Sequence, residues 1–98
     1  MESDAKSFIE AFRRVYESTK QHEQDHQSLM VYYIQGVDRI RVEEVRKSRT
    51  DDNILIINGS DPSGVHCVVI ARIEAIGFVM KLEQKEENKE YPPVKIGF

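Results

Sequence analysis

The sequence predicts an α+β fold, in which an N-terminal amphipathic helix precedes a strongly bent antiparallel sheet of about five strands that can close into a small barrel. Apolar residues recur at helical spacing as far as Thr19, and from Ser28 onward β-branched and aromatic residues come in short runs between turn residues. The connections between these runs are short, so neighbouring strands should pair antiparallel. The 98 residues have the size of one domain.

The helix is predicted from a single apolar stripe. Spacings of three and four residues place seven side chains on one face, namely Ala5, Phe8, Ile9, Phe12, Val15, Tyr16 and Thr19. Ser3 is the predicted N-cap, and the charge of Asp4 favours the same helix end. Beyond Lys20 the periodicity fades into a polar segment, 21–27, which is predicted as a solvated last turn or a linker.

Strand-forming regions are predicted at Leu29–Gln35, Arg39–Lys47, Asn53–Asn58 and Val65–Glu83. Gly36, the polar loop 49–52 and the turn-rich stretch 58–64 separate them. The continuously apolar run Ile54–Ile57 predicts a strand covered on both faces.

The last of these regions is too long for one ordinary strand. One apolar series has odd numbers from Val65 to Ala75, and a second has even numbers from Ile76 to Leu82. A slip of one residue turns every side chain to the opposite face, so the chain must bulge, bend or divide into two strands near Gly77.

The domain is predicted to span residues 1–84, and residues 85–98 are predicted to form a charged connector and a C-terminal segment. Within that segment Val94, Ile96 and Phe98 alternate as a short strand would. The segment either packs on its own domain or is donated to a sister chain as an added strand.

Composition limits the classes of function. The net charge is −3, so only a local basic patch would attract nucleic acid. No apolar run approaches the length of a bilayer span, and the N-terminus lacks the pattern of a secretory signal, so a cytoplasmic protein without a membrane partner is expected. Cys67 is the single cysteine and cannot form an internal disulfide. No cofactor is expected.

One segment matches a catalytic pattern. Residues 22–26 read His-Glu-Gln-Asp-His, the spacing at which a helix places two imidazoles, His22 and His26, one turn apart on zinc. Glu23 would then activate the metal-bound water, and His66 is the one other histidine. The residues before and after the segment are polar, which is typical of a solvated helix end. A fortuitous surface metal site is a third interpretation.

The second candidate site is basic. Arg39, Arg41 and Arg46 lie in one predicted strand, and the first two share a parity and so a face. Such a ladder contacts phosphates in nucleic-acid-binding proteins, and it is also typical of a solvated sheet face with cross-strand ion pairs.

The stretch from Met30 to Lys81 resembles the Sm/LSm small-barrel family, in particular its bacterial host-factor branch. The resemblance rests on four segments of the sequence. They are residues 31–36, residues 38–47 with their alternating polar residues, residues 52–58 around the apolar Ile54–Ile57, and residues 70–79. It implies a helix before five bent strands, rings formed by pairing edge strands between subunits, and RNA binding. The basic-aromatic RNA-contact segment of that branch is replaced here by Ile70-Ala71-Arg72-Ile73.

These observations favour a non-enzymatic interaction module that works as a homo-oligomer, with an exposed sheet edge or the C-terminal segment as its interface. The first alternative is an Sm-like RNA-binding protein that uses Arg39, Arg41 and Arg46. The second is a zinc-dependent hydrolase that uses His22, Glu23 and His26.

Overall fold

A computed structural model describes residues 4–35, 38–87, 89 and 91–97, and it confirms the α+β class with a bent antiparallel sheet. Its elements are α1 (Ala5–Lys20), β1 (Gln27–Gln35), β2 (Asp38–Lys47), β3 (Ile54–Ser60), β4 (His66–Arg72), β5 (Phe78–Gln84) and β6 (Lys95–Gly97). A single 3₁₀ turn, Ile73–Ala75, joins β4 to β5. The turn predicted at Gly36 lies outside the described residues.

The sheet runs in the order β4-β3-β2-β1-β5, with antiparallel neighbours throughout. Its bend lies in β2, where the register with β3 shifts between Val42 and Glu44. Before the shift β2 pairs with β1, and after it β6 pairs in parallel with Glu44–Arg46. Because β4 and β5 do not pair with each other in the described part of the chain, the sheet is open.

Helix α1 begins at Asp4 as its N-cap, whose carboxylate accepts a hydrogen bond of 2.8 Å from the Ser7 backbone N–H. The cap predicted at Ser3 is therefore wrong by one residue, and Ser3 itself lies outside the described residues. Four positions of the apolar stripe are buried, Ala5, Ile9, Phe12 and Tyr16. Val15 is 55% exposed, because it lies at the margin of the stripe and the packed face is narrower than predicted.

The core lies between α1 and the inner face of the sheet. Phe78 of β5 packs against both the helix and the sheet. The centroid of its ring is 4.9 Å from that of Phe12 on α1 and 5.8 Å from that of Tyr33 on β1. The buried residues of the sheet are Leu29, Val31, Tyr33, Ile40, Val42, Val45, Leu55, Ile57 and Ala71. The aromatic cluster thus holds the helix against strands from both halves of the chain.

Two strand predictions need correction. Strand β3 continues through Asn58 and Gly59, where a turn was predicted, because Asn58 donates a 2.8 Å hydrogen bond to Glu44 and Gly59 packs against the β2 backbone. The turn itself is held by Asp61, whose Oδ1 accepts from the N–H groups of Ser63 and Val65. The run Ile54–Ile57 is fully covered on one face only, since Leu55 and Ile57 are buried while Ile54 and Ile56 are half-buried.

The change of parity near Gly77 is resolved as two strands. β4 ends at Arg72, the 3₁₀ turn follows, and β5 begins at Phe78. The two strands lie at opposite ends of the sheet path, so the short turn carries the chain from one end of the sheet to the other.

The C-terminal segment packs on its own chain, and its predicted strand is β6. The Val94 N–H donates to the Tyr16 hydroxyl at 3.1 Å, and Arg13 donates to the Ile96 carbonyl at 2.9 Å. Phe98 lies outside the described residues. Of the described residues, no helix is both long and apolar enough to cross a membrane.

We expect Gly59→Ala to destabilise the fold by about 1–3 kcal/mol, as overpacked substitutions do. A Cβ at Gly59 would overlap the carbonyl oxygen of Arg41 and lie 2.7 Å from Cγ2 of Ile40. Gly77→Ala is the matched control, because no atom lies within 4 Å of its added Cβ. Chemical denaturation measures both free energies of unfolding, and equal effects would contradict the close approach of β3 to β2.

Candidate functional site

The two end strands of the sheet are incompletely buried. β4 pairs only with β3, and β5 only with β1, among the described residues. Ala71 is the one buried residue of β4, and β5 has none. Their inward-facing apolar residues, Cys67, Val69, Phe78, Met80 and Leu82, are only half-buried. The hydrophobic core is therefore incompletely covered at both edges of the sheet.

The outer face of β4 is apolar and exposed. Val68 is 57% exposed and Ile70 is 71% exposed. Ile56 of β3 lies directly opposite Ile70 in the register and is itself half-buried. From Cys67 to Ala71 the strand carries no charge, although natural sheet edges are commonly blunted by charges or proline. This strip has the chemistry of a contact surface.

A basic and aromatic cluster occupies the outer face where β1, β2 and β5 meet. Tyr32 of β1 lies opposite Arg41 of β2. The Cζ atom of Arg39 is 5.1 Å from the centroid of the Tyr32 ring, and the Nζ atom of Lys81 is 5.8 Å from it. No carboxylate of the described residues lies within ion-pair distance of these three cations.

Tyr32 is tied to Glu83 in the same cluster. Its hydroxyl donates to Glu83, with oxygen–oxygen distances of 2.6 Å and 3.0 Å to the two carboxylate oxygens. Burial, followed by this hydrogen bond and the charge of Glu83, raises the pKa of Tyr32 to about 12, against the lowering effect of Arg39 and Arg41. The phenol is therefore a protonated donor at neutral pH.

The structure brings together two of the three predicted phosphate-contacting arginines. Arg39 and Arg41 both flank Tyr32, whereas Arg46 follows the bend of β2 and its Nε lies 3.9 Å from Glu44. RNA binding through these residues stays a prediction. Tyr32 and Lys81 were not predicted as part of the site, because β1 and β5 are far apart in sequence and only their pairing places these residues side by side.

The predicted zinc segment is not helical, because α1 ends at Lys20 and residues 22–26 consist of turn residues around an irregular pair, 23–24. The one-turn spacing of two imidazoles needs a helix, and here His22 and His26 are exposed on that turn. Glu23 has a structural contact, since it accepts a 2.7 Å hydrogen bond from the Leu29 N–H and thereby fixes the entry into β1. Within the described ranges no three His, Cys, Asp or Glu side chains are grouped to hold a metal ion.

No protein-family model, curated protein or solved structure matches this chain. Two surfaces of the described chain have the chemistry of contact sites. The first is the pair of sheet edges formed by β4 and β5, and the second is the outer-face cluster around Tyr32.

We expect Glu83→Gln to lower the pKa of Tyr32 from about 12, because the substitution removes the negative charge that disfavours the phenolate. Ultraviolet titration measures phenolate formation, and subtracting the curve of Tyr32→Phe isolates this residue. Glu74→Gln is the control, because Glu74 lies in the 3₁₀ turn with Arg72 as its ion-pair partner. An unchanged pKa in Glu83→Gln would contradict the described cluster.

Proposed function

We propose that this chain is a non-enzymatic interaction module that forms homo-oligomers by pairing β4 of one copy with β5 of another. One observation carries the proposal: the two end strands of the sheet each leave apolar side chains half-buried, and in the described chain each of these strands has a neighbouring strand on one side only. The inward-facing residues of an inner strand are covered completely, as the fully buried Leu55 and Ile57 of β3 illustrate.

Strand pairing suits the two edges. Both strands are seven residues long, and each has one row of backbone N–H and C=O groups without a strand partner in the described chain. Pairing β4 with β5 of a second copy satisfies both rows and continues the sheet across the contact. Because the contact joins two different surfaces, each added copy presents a new edge, and the assembly closes into a ring or extends as a filament.

Apolar burial favours the same contact. Val69 of β4 and Met80 of β5 face inward and are half-buried, so a neighbouring strand would complete their cover. On the outer face Ile70 is 71% exposed. Fully burying a side chain of this kind contributes about 1.5–3 kcal/mol, and several such side chains lie along the two edges.

The test is the effect of Ile70→Lys on the mass of the assembly. We expect wild-type protein to form an assembly of more than one chain. The substitution should raise the subunit dissociation constant at least about tenfold, since a charge buried at the contact costs more than about 1.4 kcal/mol. Light scattering after size-exclusion chromatography at several concentrations measures this change. Circular dichroism should be unaltered, because Ile70 is exposed within the subunit.

Val15→Lys is the matched control for Ile70→Lys. Val15 is also an exposed aliphatic residue, at 55%, but it lies on α1 rather than on β4. Its substitution should leave the oligomer mass unchanged. A wild-type protein that is monomeric at every concentration, or an oligomer that only Val15→Lys disrupts, would contradict the proposal.

A further inference from the structure

Arg41 lies where three cavities adjoin, two on the outer face and one where β1 and β2 diverge. The cavities have volumes of about 480, 490 and 440 Å³, and the Arg41 side chain lines all of them. Arg41 is exposed, and no described carboxylate lies within ion-pair distance of it. Among the described residues, its guanidinium therefore has no competing acidic partner beside the cavities. Guanidinium groups in this situation bind phosphate or carboxylate with two parallel hydrogen bonds.

The surroundings of Arg41 add positive charge at one end. Tyr32 and Lys89 line the second and third cavities with it, and Arg39 lines the third. The carboxylates there already have partners. Glu83 accepts from the Tyr32 hydroxyl, and Glu86 lies 2.9 Å from Lys89.

Asp61, which lines the third cavity, is engaged in the same way, because it holds the β3–β4 turn through two backbone N–H groups. An anion with two negative charges suits this end better than a single carboxylate does, because Arg39 and Arg41 both have guanidinium groups without a described acidic partner.

The first cavity extends from Arg41 in the other direction and is more apolar. It lies where β1 and β2 no longer pair, so that the largely buried Leu29, Val31 and Val42 line it, and the C-terminal residues Pro92 and Pro93 form a wall. At one end of this wall Tyr91 accepts a 2.8 Å hydrogen bond from the Glu86 N–H, and at the other end β6 pairs with β2. The wall is thus anchored on both sides. The volume of the cavity falls in the range of small-molecule sites.

Carboxylates also line this first cavity, and both have protein partners. Glu43 accepts from the Ser60 hydroxyl, and Glu44 accepts from the Asn58 amide. Arg41 and Lys95 line the cavity as well and balance these two charges, and the apolar residues of the lining suit an apolar body with hydrogen-bond donors. A ligand would therefore bind in one orientation, with its charged end at Arg41 and its body beside the C-terminal segment.

We infer that the outer face binds a small phosphate monoester, with the phosphate held by Arg41 and Arg39 and an apolar or aromatic body held between Val42, Pro92 and Pro93. The site belongs to one subunit and does not depend on the pairing of β4 with β5. A polymer such as RNA is a different ligand class, and the measurement below separates the two.

The experiment is a titration of ¹⁵N-labelled full-length protein, followed by backbone amide shifts, with phenyl phosphate, inorganic phosphate and a short single-stranded RNA. We expect phenyl phosphate to shift the amides of residues 41–44 and those of Tyr91, Val94 and Lys95. It should bind at least about tenfold more tightly than inorganic phosphate, because only its ring reaches the apolar cavity. Arg41→Gln should weaken binding of phenyl phosphate at least about tenfold.

Arg72→Gln is the matched control, since Arg72 is an exposed arginine that lies on β4, 3.8 Å from Glu74, and lines none of the three cavities. It should leave the affinity for phenyl phosphate unchanged. Three results would overturn the inference: equal binding to Arg41→Gln and wild type, equal affinity for phenyl phosphate and inorganic phosphate, or binding of the RNA alone.

Discussion

The bend of β2 is the constraint on which the rest of the structure depends. The register shift between Val42 and Glu44 turns the second half of the strand away from β1, while β3 follows it along most of its length. The edge left by β1 is taken by β6, and Arg13 and Tyr16 of the helix hold that segment in place. The close approach of β3 to β2 at Gly59 belongs to the same bend, because a side chain there would meet the backbone of β2.

Both candidate surfaces follow from this geometry. A bent sheet of this length neither closes nor lies flat, so it ends in two edges, β4 and β5, whose apolar residues are incompletely covered. Where β1 and β2 diverge, the C-terminal segment spans the opening and encloses the apolar cavity beside Arg41. Association at the edges and ligand binding on the outer face are therefore independent proposals about different parts of one sheet.

Much of the fold could be predicted from local sequence, because its signals are local. The apolar stripe of α1, the β-branched runs and the parity change before Phe78 each depend on neighbouring residues, and each corresponds to an observed element. The predictions failed where a distant contact decides the outcome. Gly59 resembles a turn residue and is instead a strand residue that β2 approaches closely. Likewise, the cluster at Tyr32 depends on β1 pairing with β5, which no local pattern encodes.

Hydrogen–deuterium exchange at a series of protein concentrations tests the proposed edge pairing of β4 with β5. If copies associate through these strands, protection of amides in β4 and β5 rises with protein concentration, because each edge gains hydrogen-bond partners. Protection of β3, which already has strand partners on both sides, stays constant. Exchange in β4 and β5 that is independent of concentration, in a protein whose mass remains that of one chain, would contradict the proposed homo-oligomer.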